Sequence, residues 1–236
     1  PSFGKGKQAT LIFDGAMSHA RVYVNGKEAG YWPYGYNSFH LDVTPYLKAG
    51  EINELAVRLE NENESSRWYP GAGLYRNVHL VVTEDAYVPT WGTHVTTPVV
   101  KDKFAKVHVE TNWTMPKGKK ISEYTIATEI LNPEGKKVNA DTRPGDELDE
   151  TLFTQEFIVR NPMLWSVENP HLYTAVSKIY EGDRLVDEYT TRFGIRTLEI
   201  IPEKGFFLNG KLTKFQGVCN HHDLGPLGAA VNDAAI

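Results

Sequence analysis

Along most of this 236-residue chain, apolar residues recur at every second position over short stretches closed by Gly, Pro, Asn or Asp, and the stretches carry no helical period. A period of two places alternate side chains on opposite faces, so each stretch can bury one face and expose the other. Lys7 to Phe13 puts Ala9, Leu11 and Phe13 on one side. Arg21 to Val24 and Lys27 to Trp32 flank Asn25-Gly26, a pair that tolerates positive φ and suits a two-residue hairpin turn. Phe39, Leu41 and Val43 alternate and lead into Thr44-Pro45, where Thr is expected to cap and Pro to begin a single helical turn. Leu55, Val57 and Leu59 alternate again, and the apolar run Val78 to Val82 predicts a strand buried on both faces. These stretches make the first unit a β-sandwich.

A boundary is expected where the Val-rich run gives way to Glu84-Asp85 and then Pro89. Beyond it the alternating stretches lengthen: Val107, Val109, Thr111 and Trp113 share a face, as do Tyr124, Ile126, Thr128 and Ile130, and later Phe153, Phe157 and Val159. Polar, turn-rich stretches separate them at Met115 to Lys120, Asn132 to Lys137 and Asp141 to Glu150. About seven strands over about a hundred residues at this turn spacing is the pattern of an immunoglobulin-like sandwich. The only cysteine, Cys219, excludes an internal disulfide and is expected to act as a small hydrophobe on a buried strand. Trp165, following Pro162, is expected in the core of the second sandwich, with Arg192 and Arg196 pinning the strand that comes next.

The formal net charge is -5, and basic residues are interspersed with acids, so the chain has no electrostatic footprint for nucleic acid or an anionic membrane. A neutral ligand is the default. No apolar run is long enough to cross a bilayer, and Pro1-Ser2-Phe3-Gly4 lacks the charged-then-apolar pattern of a signal peptide. The compartment stays open between a periplasmic or secreted and a cytoplasmic location. Glu60, Glu62 and Glu64 read as a solvated strand edge rather than as catalytic acids.

Three further segments carry a specific pattern: Ser65 to Val78 (SSRWYPGAGLYRNV); Asn161 to Tyr173 (NPMLWSVENPHLY) followed by Arg192 to Arg196 (RFGIR); and Phe206 to Gly228 (FFLNGKLTKFQGVCNHHDLGPLG). In the last, Asn209-Gly210 signals a hairpin, and Lys214 to Cys219 reads as a strand ending in the polar cluster Asn220, His221, His222 and Asp223. In this order the three resemble glycoside hydrolase family 2, the β-galactosidase, β-glucuronidase and β-mannosidase group. The resemblance implies an all-β chain. Residues 1-85 would form a jelly-roll, galactose-binding-like domain that lacks its first strands or begins in an extended segment. Residues 86-197 would form the immunoglobulin-like sandwich, and 198-236 the hairpin and first strand of a truncated (β/α)8 barrel.

In function, the resemblance implies the non-catalytic amino-terminal portion of a retaining exo-β-glycosidase, with β-galactosidase first and β-glucuronidase or β-mannosidase as alternatives. Retention takes two carboxyl groups about 5 to 5.5 Å apart. The family pattern puts both glutamates beyond Ile236, so no catalytic residue is expected in the chain. His222 matches the strand-end histidine that approaches sugar hydroxyls, and Asn220 the asparagine that holds the strand-end loop. Asn61, or its neighbour Asn63, stands near where some members send a polar side chain into the site. His221 departs from the arginine of the best-known members.

Adjacent His221 and His222 point to opposite faces of extended backbone, so no metal site is expected there. No cofactor is expected in the chain, although the longer enzyme could carry magnesium near its site. The implied partners are a carbohydrate substrate and other copies of the enzyme, with no nucleic acid and no membrane. The resemblance implies that Arg67, Trp68, Tyr69, Tyr75 and Arg76 mostly pack the first domain against the barrel, with Gly71 and Gly73 permitting a tight turn. A stand-alone carbohydrate-binding module or a scaffold would have little use for an orphan barrel strand, because Phe206, Phe207, Leu208 and Phe215 would lack a covering surface.

Overall fold

The computed structural model describes residues 4, 6–64, 71–148, 151–219, 224–230 and 234. Apart from single turns of 3-10 helix, the regular structure of these residues is all β-strand. They divide into two compact units, Pro1–Thr83 with Val218–Ile236, and Glu84–Gly217.

In the first unit, β1 (Lys7–Phe13), β2 (Ala20–Val24), β3 (Lys27–Trp32), β4 (Phe39–Asp42), β5 (Leu55–Arg58) and β6 (Val78–Glu84) form two three-stranded sheets, ordered β4-β1-β6 and β3-β2-β5. The alternation in β1 buries Ala9, Leu11 and Phe13, and that in β2 buries Ala20, Val22 and Val24. These close on Phe39 and Val43, with the Phe13 and Phe39 rings stacked at 4.7 Å. Asn25 and Gly26 both adopt positive φ, 50° and 78°, as a mirror-image turn requires. The Asn25 side chain also donates to Tyr46 O and Asn53 Oδ1 and accepts from Glu54 N–H, so the turn is anchored from the loop facing it.

Two expectations for this unit are corrected. The helical turn spans Thr44–Tyr46 with Val43 at its cap position, and Thr44 does not cap it. The Thr44 hydroxyl instead accepts from Ala9 N–H at 2.9 Å and donates to Gln8 Oε1, because β1 lies within reach and offers an amide. The run Val78 to Val82 is a strand but is not buried on both faces. Val78 and Val82 pack on the core, whereas Leu80 and Val81 remain 46% and 37% exposed, because β6 is an edge strand among the described residues.

Among the described residues the sandwich of the second unit has seven strands, β7 (Thr93–Lys101), β8 (Phe104–Asn112), β9 (Tyr124–Leu131), β10 (Lys137–Pro144), β11 (Leu152–Arg160), β12 (Tyr173–Glu181) and β13 (Arg184–Phe193). They form sheets ordered β11-β8-β7 and β10-β9-β12-β13. In a constant-type immunoglobulin domain the fourth strand joins the sheet of the first two; here the fourth, β10, pairs with the third, β9. Asp141 to Pro144 belongs to β10, so the expected polar loop starts only with the 3-10 turn Gly145–Glu147.

The tryptophan that fills this core is Trp113, 2% exposed and edge-on to Tyr124 at 5.4 Å, rather than Trp165. Trp165 sits at the exit of the sandwich and is only half-buried. The Arg196 guanidinium lies over its ring at 5.1 Å, and the two Gly194 hydrogens leave the room its ring needs.

The final sheet of the unit, β14 (Leu198–Ile201), β15 (Gly205–Leu208) and β16 (Lys211–Leu212), contains the Asn209-Gly210 hairpin. Asn209 does more than turn the chain. Its Nδ2 donates to Trp165 O at 2.9 Å and its Oδ1 accepts from Thr197 N–H at 3.0 Å, which ties the hairpin to the sandwich exit. Leu208 is therefore buried and Phe206 and Phe207 half-buried within the unit itself, while Phe215 stays 79% exposed with one contact against Phe206 at 4.7 Å between ring centroids. Lys214 to Cys219 is not a strand, and Cys219 is exposed rather than buried. Among the described residues no neighbouring strand pairs with that stretch, and an unpaired backbone stays in contact with water.

Candidate functional site

The predicted site residue that lies among the described residues is Asn61. Asn220 and His222 lie outside them, as do Arg67, Trp68 and Tyr69 of the aromatic signature. Asn61 is exposed, as is Asn63, on the loop that leaves β5 at one end of the first sandwich. The loop is not free to drift at its base. Glu60 N–H donates to Ser18 O at 2.9 Å, and Ser18 Oγ donates back to Glu60 O at 2.7 Å.

Three more loops converge beside it. Met17 and Gly73 exchange both backbone hydrogen bonds, at 3.0 and 3.1 Å, and His19 N–H donates to Pro33 O. Tyr75, 8% exposed, donates its hydroxyl to Gly35 O at 2.8 Å, and burial pushes its pKa up against the opposing pull of Arg76. Arg76 donates to the carbonyls of Asp14 and Tyr36 and lies over the Tyr75 ring at 4.9 Å. A Cβ at Gly15 would stand 2.9 Å from Arg76 Cδ, so a larger residue there would displace the guanidinium. Tyr75 and Arg76 thus act as struts among loops 14–19, 33–38 and 71–77. The Tyr75 hydroxyl and Arg76 Nη1 are engaged by backbone carbonyls, whereas Asn61 and Asn63 are exposed on the rim.

That rim also carries Tyr31 and Tyr34, 41% and 53% exposed. Tyr31 OH meets His19 Nδ1 at 2.7 Å, its ring carries the Arg21 guanidinium at 4.8 Å, and Tyr34 stands edge-on to Tyr36. An exposed ring offers a flat apolar face and an open amide one donor pair and one acceptor, so the arrangement suits a neutral polyhydroxyl ligand better than an ion.

General acid catalysis requires a carboxyl group held protonated, which takes an upward pKa shift. Among the described carboxylates with displaced pKa values, those of Glu110, Glu123, Glu129, Asp141, Glu156, Glu168 and Glu181 are pushed down. Neighbouring cations and hydrogen-bond donors explain most of these: Lys119 bridges Glu123 at 3.2 Å and Glu181 at 2.8 Å, and Glu129 lies between Lys137 and Lys178. Asp187 alone in that set is pushed up. Burial outweighs the Val88 N–H it accepts at 2.8 Å, inside the second sandwich and on the inward face of β13. That is a structural position, with no substrate-sized opening implied.

Among the described residues no group of three or more His, Cys, Asp or Glu side chains is placed to hold a metal ion. No described helix is long and apolar enough to cross a membrane.

The Asp187 geometry gives a pH dependence of definite sign. A carboxyl whose folded pKa is raised contributes stability that is complete below its unfolded value, near 3.8, and is lost as pH rises through the folded value. Compared with the Asp187→Asn protein, wild type should therefore gain stability as pH falls from 7 toward 4. Denaturant unfolding of both proteins across that range checks the sign, and a relative loss by wild type would contradict it. Asp187→Ala strands the buried Val88 N–H and should cost about 1 to 3 kcal/mol at any pH.

Residues 2–84 match the model of the glycosyl hydrolases family 2 sugar binding domain, and residues 87–196 match that of glycosyl hydrolases family 2. The chain is 46% identical over 98% of its length to the beta-galactosidase BoGH2A of Bacteroides ovatus, of which it spans 27%. It is 30% identical over 96% of its length to a beta-glucuronidase of Bacteroides fragilis, of which it spans 34%. It superposes with a TM-score of 0.89 on the crystal structure of a family 2 member from Bacteroides cellulosilyticus, at 37% identity, covering 98% of this chain and 32% of that one. The chain thus spans about a quarter to a third of the length of these relatives.

Proposed function

Since the chain belongs to family 2 of the glycosyl hydrolases, we propose that it is the non-catalytic amino-terminal portion of a retaining exo-β-glycosidase that removes terminal β-D-galactosyl residues. The observation that carries the galactoside is the 46% identity to a beta-galactosidase across nearly the whole chain. The hydrolysis itself takes one carboxyl group to protonate the leaving oxygen and a second, about 5 to 5.5 Å away, to attack the anomeric carbon. Among the described carboxylates with displaced pKa values only Asp187 is pushed up, the direction a general acid needs, and its side chain accepts the Val88 N–H within the second sandwich. Both glutamates are assigned to the part of the enzyme beyond Ile236.

In this reading the chain's own contribution is binding and placement. His222 contacts sugar hydroxyls through its imidazole, Asn220 holds the loop beside it, and Asn61 offers its amide from the first sandwich. The exposed position of Asn61 on a loop pinned at Ser18 is compatible with that role. The 30% identity to a beta-glucuronidase supports a second substrate, a β-glucuronide. The two are separated by assaying the longer protein on chromogenic β-galactoside, β-glucuronide and β-mannoside. A kcat/KM highest for the galactoside is expected, and a preference for the glucuronide would move the assignment.

A further inference from the structure

The core of the second unit is not continuous. One apolar cluster is built around Val107, Val109, Phe157 and Tyr173, and a separate one around Trp113, Tyr124, Ile126 and Phe153. Strand by strand, the inward-facing residues run apolar, polar, apolar, with the polar residue at the changeover. Along β8 and the residue that follows it the order is Val109, Thr111, Trp113; on β9, Ile126, Thr128, Ile130; on β11, Phe153, Gln155, Phe157; on β12, Ala175, Ser177, Ile179. Thr111, Gln155, Thr128 and Ser177 are all at most 1% exposed.

Register joins these residues into one belt. Thr93 on β7 pairs directly with Thr111, Thr128 pairs with Ser177, and Thr191 on β13 pairs with Ala175, next to Ser177 on the same face. Gln155 Nε2 reaches Asp141, the β10 residue opposite Thr128. Within the belt the Thr128 and Ser177 hydroxyls satisfy one another at 3.3 Å. The hydroxyls of Thr93, Thr111 and Thr191 and the Oε1 of Gln155 are buried and have no hydrogen-bond partner among the described residues.

A buried hydroxyl left unpaired is costly, and a valine of the same shape would avoid the cost. Four such atoms on one belt would all be satisfied by bound groups that both donate and accept. We propose that this belt is a binding site for ordered internal water, held between the two sheets by Thr93, Thr111, Thr191 and Gln155. Water is the ligand of matching chemistry: it can donate to the amide oxygen while donating to or accepting from each hydroxyl, and internal waters typically make about three such bonds. The belt also fixes alignment, because sliding a strand by two residues would press a polar atom against Trp113 or Phe157.

The test uses the full chain. Water cross-relaxation to the methyl groups of Thr111 and Thr191, with magnetic relaxation dispersion to count long-lived waters, should detect at least one such molecule in wild type. Its absence overturns the proposal without any variant. Thr111→Val, which removes only the hydroxyl, should then lose a long-lived water and lower the melting temperature by about 2 to 4 °C or more. A dry belt predicts the reverse, since the substitution would delete an unsatisfied polar group, and a rise in melting temperature sinks the proposal. Thr191→Val, at the less buried edge of the belt, provides the same readout if Thr111→Val does not fold.

Discussion

In the longer enzyme, His222→Ala lowers kcat/KM for the natural glycoside by between a few-fold and about a thousandfold while leaving the fold intact. The range follows from the chemistry of the contact. Loss of one neutral hydrogen bond costs about 0.5 to 1.5 kcal/mol, and loss of a donor whose bond strengthens in the transition state costs about 2.7 to 4 kcal/mol. His221→Ala should do far less, since adjacent side chains would point to opposite faces if the segment is extended. Steady-state kinetics on both variants, with thermal unfolding as control, checks this. Equal losses in the two variants, or a loss that follows a fall in melting temperature, would reduce His222 to a structural rim residue.

The second large effect is on folding. Trp113→Ala should destabilise the second sandwich by about 3 to 5 kcal/mol, the range for emptying a large aromatic site in a close-packed core. Trp113 is 2% exposed and packs with Tyr124, Ile126 and Phe153, so neighbouring side chains have little room to collapse into the hole. Trp165→Ala should cost less, because that ring is half-buried and its chief partner is the Arg196 guanidinium, whose interaction at a partly wetted site is worth about 0.5 to 1 kcal/mol. Chemical denaturation of the two variants ranks them. A larger loss for Trp165→Ala would mean that the core is centred at the sandwich exit.

Much of the fold is legible in the sequence because a two-residue period is a local signal. The bounds Lys7–Phe13 and Lys27–Trp32 and the Asn25-Gly26 turn are all readable from side-chain alternation and the positive-φ tolerance of Asn and Gly. What depends on neighbours is not readable. Val78 to Val82 is as apolar as a central strand, but its position at a sheet edge leaves Leu80 and Val81 exposed. Thr44 has the composition of a cap, but a backbone amide 35 residues away in sequence takes its hydroxyl. Trp113 and Trp165 have the same side chain, and only the packing around each decides which one is the core residue.

Gln155 stands between Phe153 and Phe157 with its side chain on their face, a polar residue that the apolar pattern passes over and the polar belt requires. The candidate site was less legible than the fold. Asn61 comes from the family pattern, and its pinned loop is visible only once Ser18 and Glu60 are seen exchanging hydrogen bonds. The two glycines of the Tyr75-Arg76 segment signal a tight turn but not the strut role of these side chains, whose partners, the carbonyls of Asp14, Gly35 and Tyr36, lie 40 to 62 residues away.

The central claim, that the chain holds the binding and placement parts of a glycosidase without its catalytic pair, is tested most directly by assaying the 236-residue chain and the longer protein side by side on a chromogenic β-galactoside. The account predicts turnover by the longer protein and a rate for the chain that matches the buffer blank. Turnover by the chain clearly above the blank, surviving repurification, would contradict it, because both carboxyl groups would then have to lie within these residues.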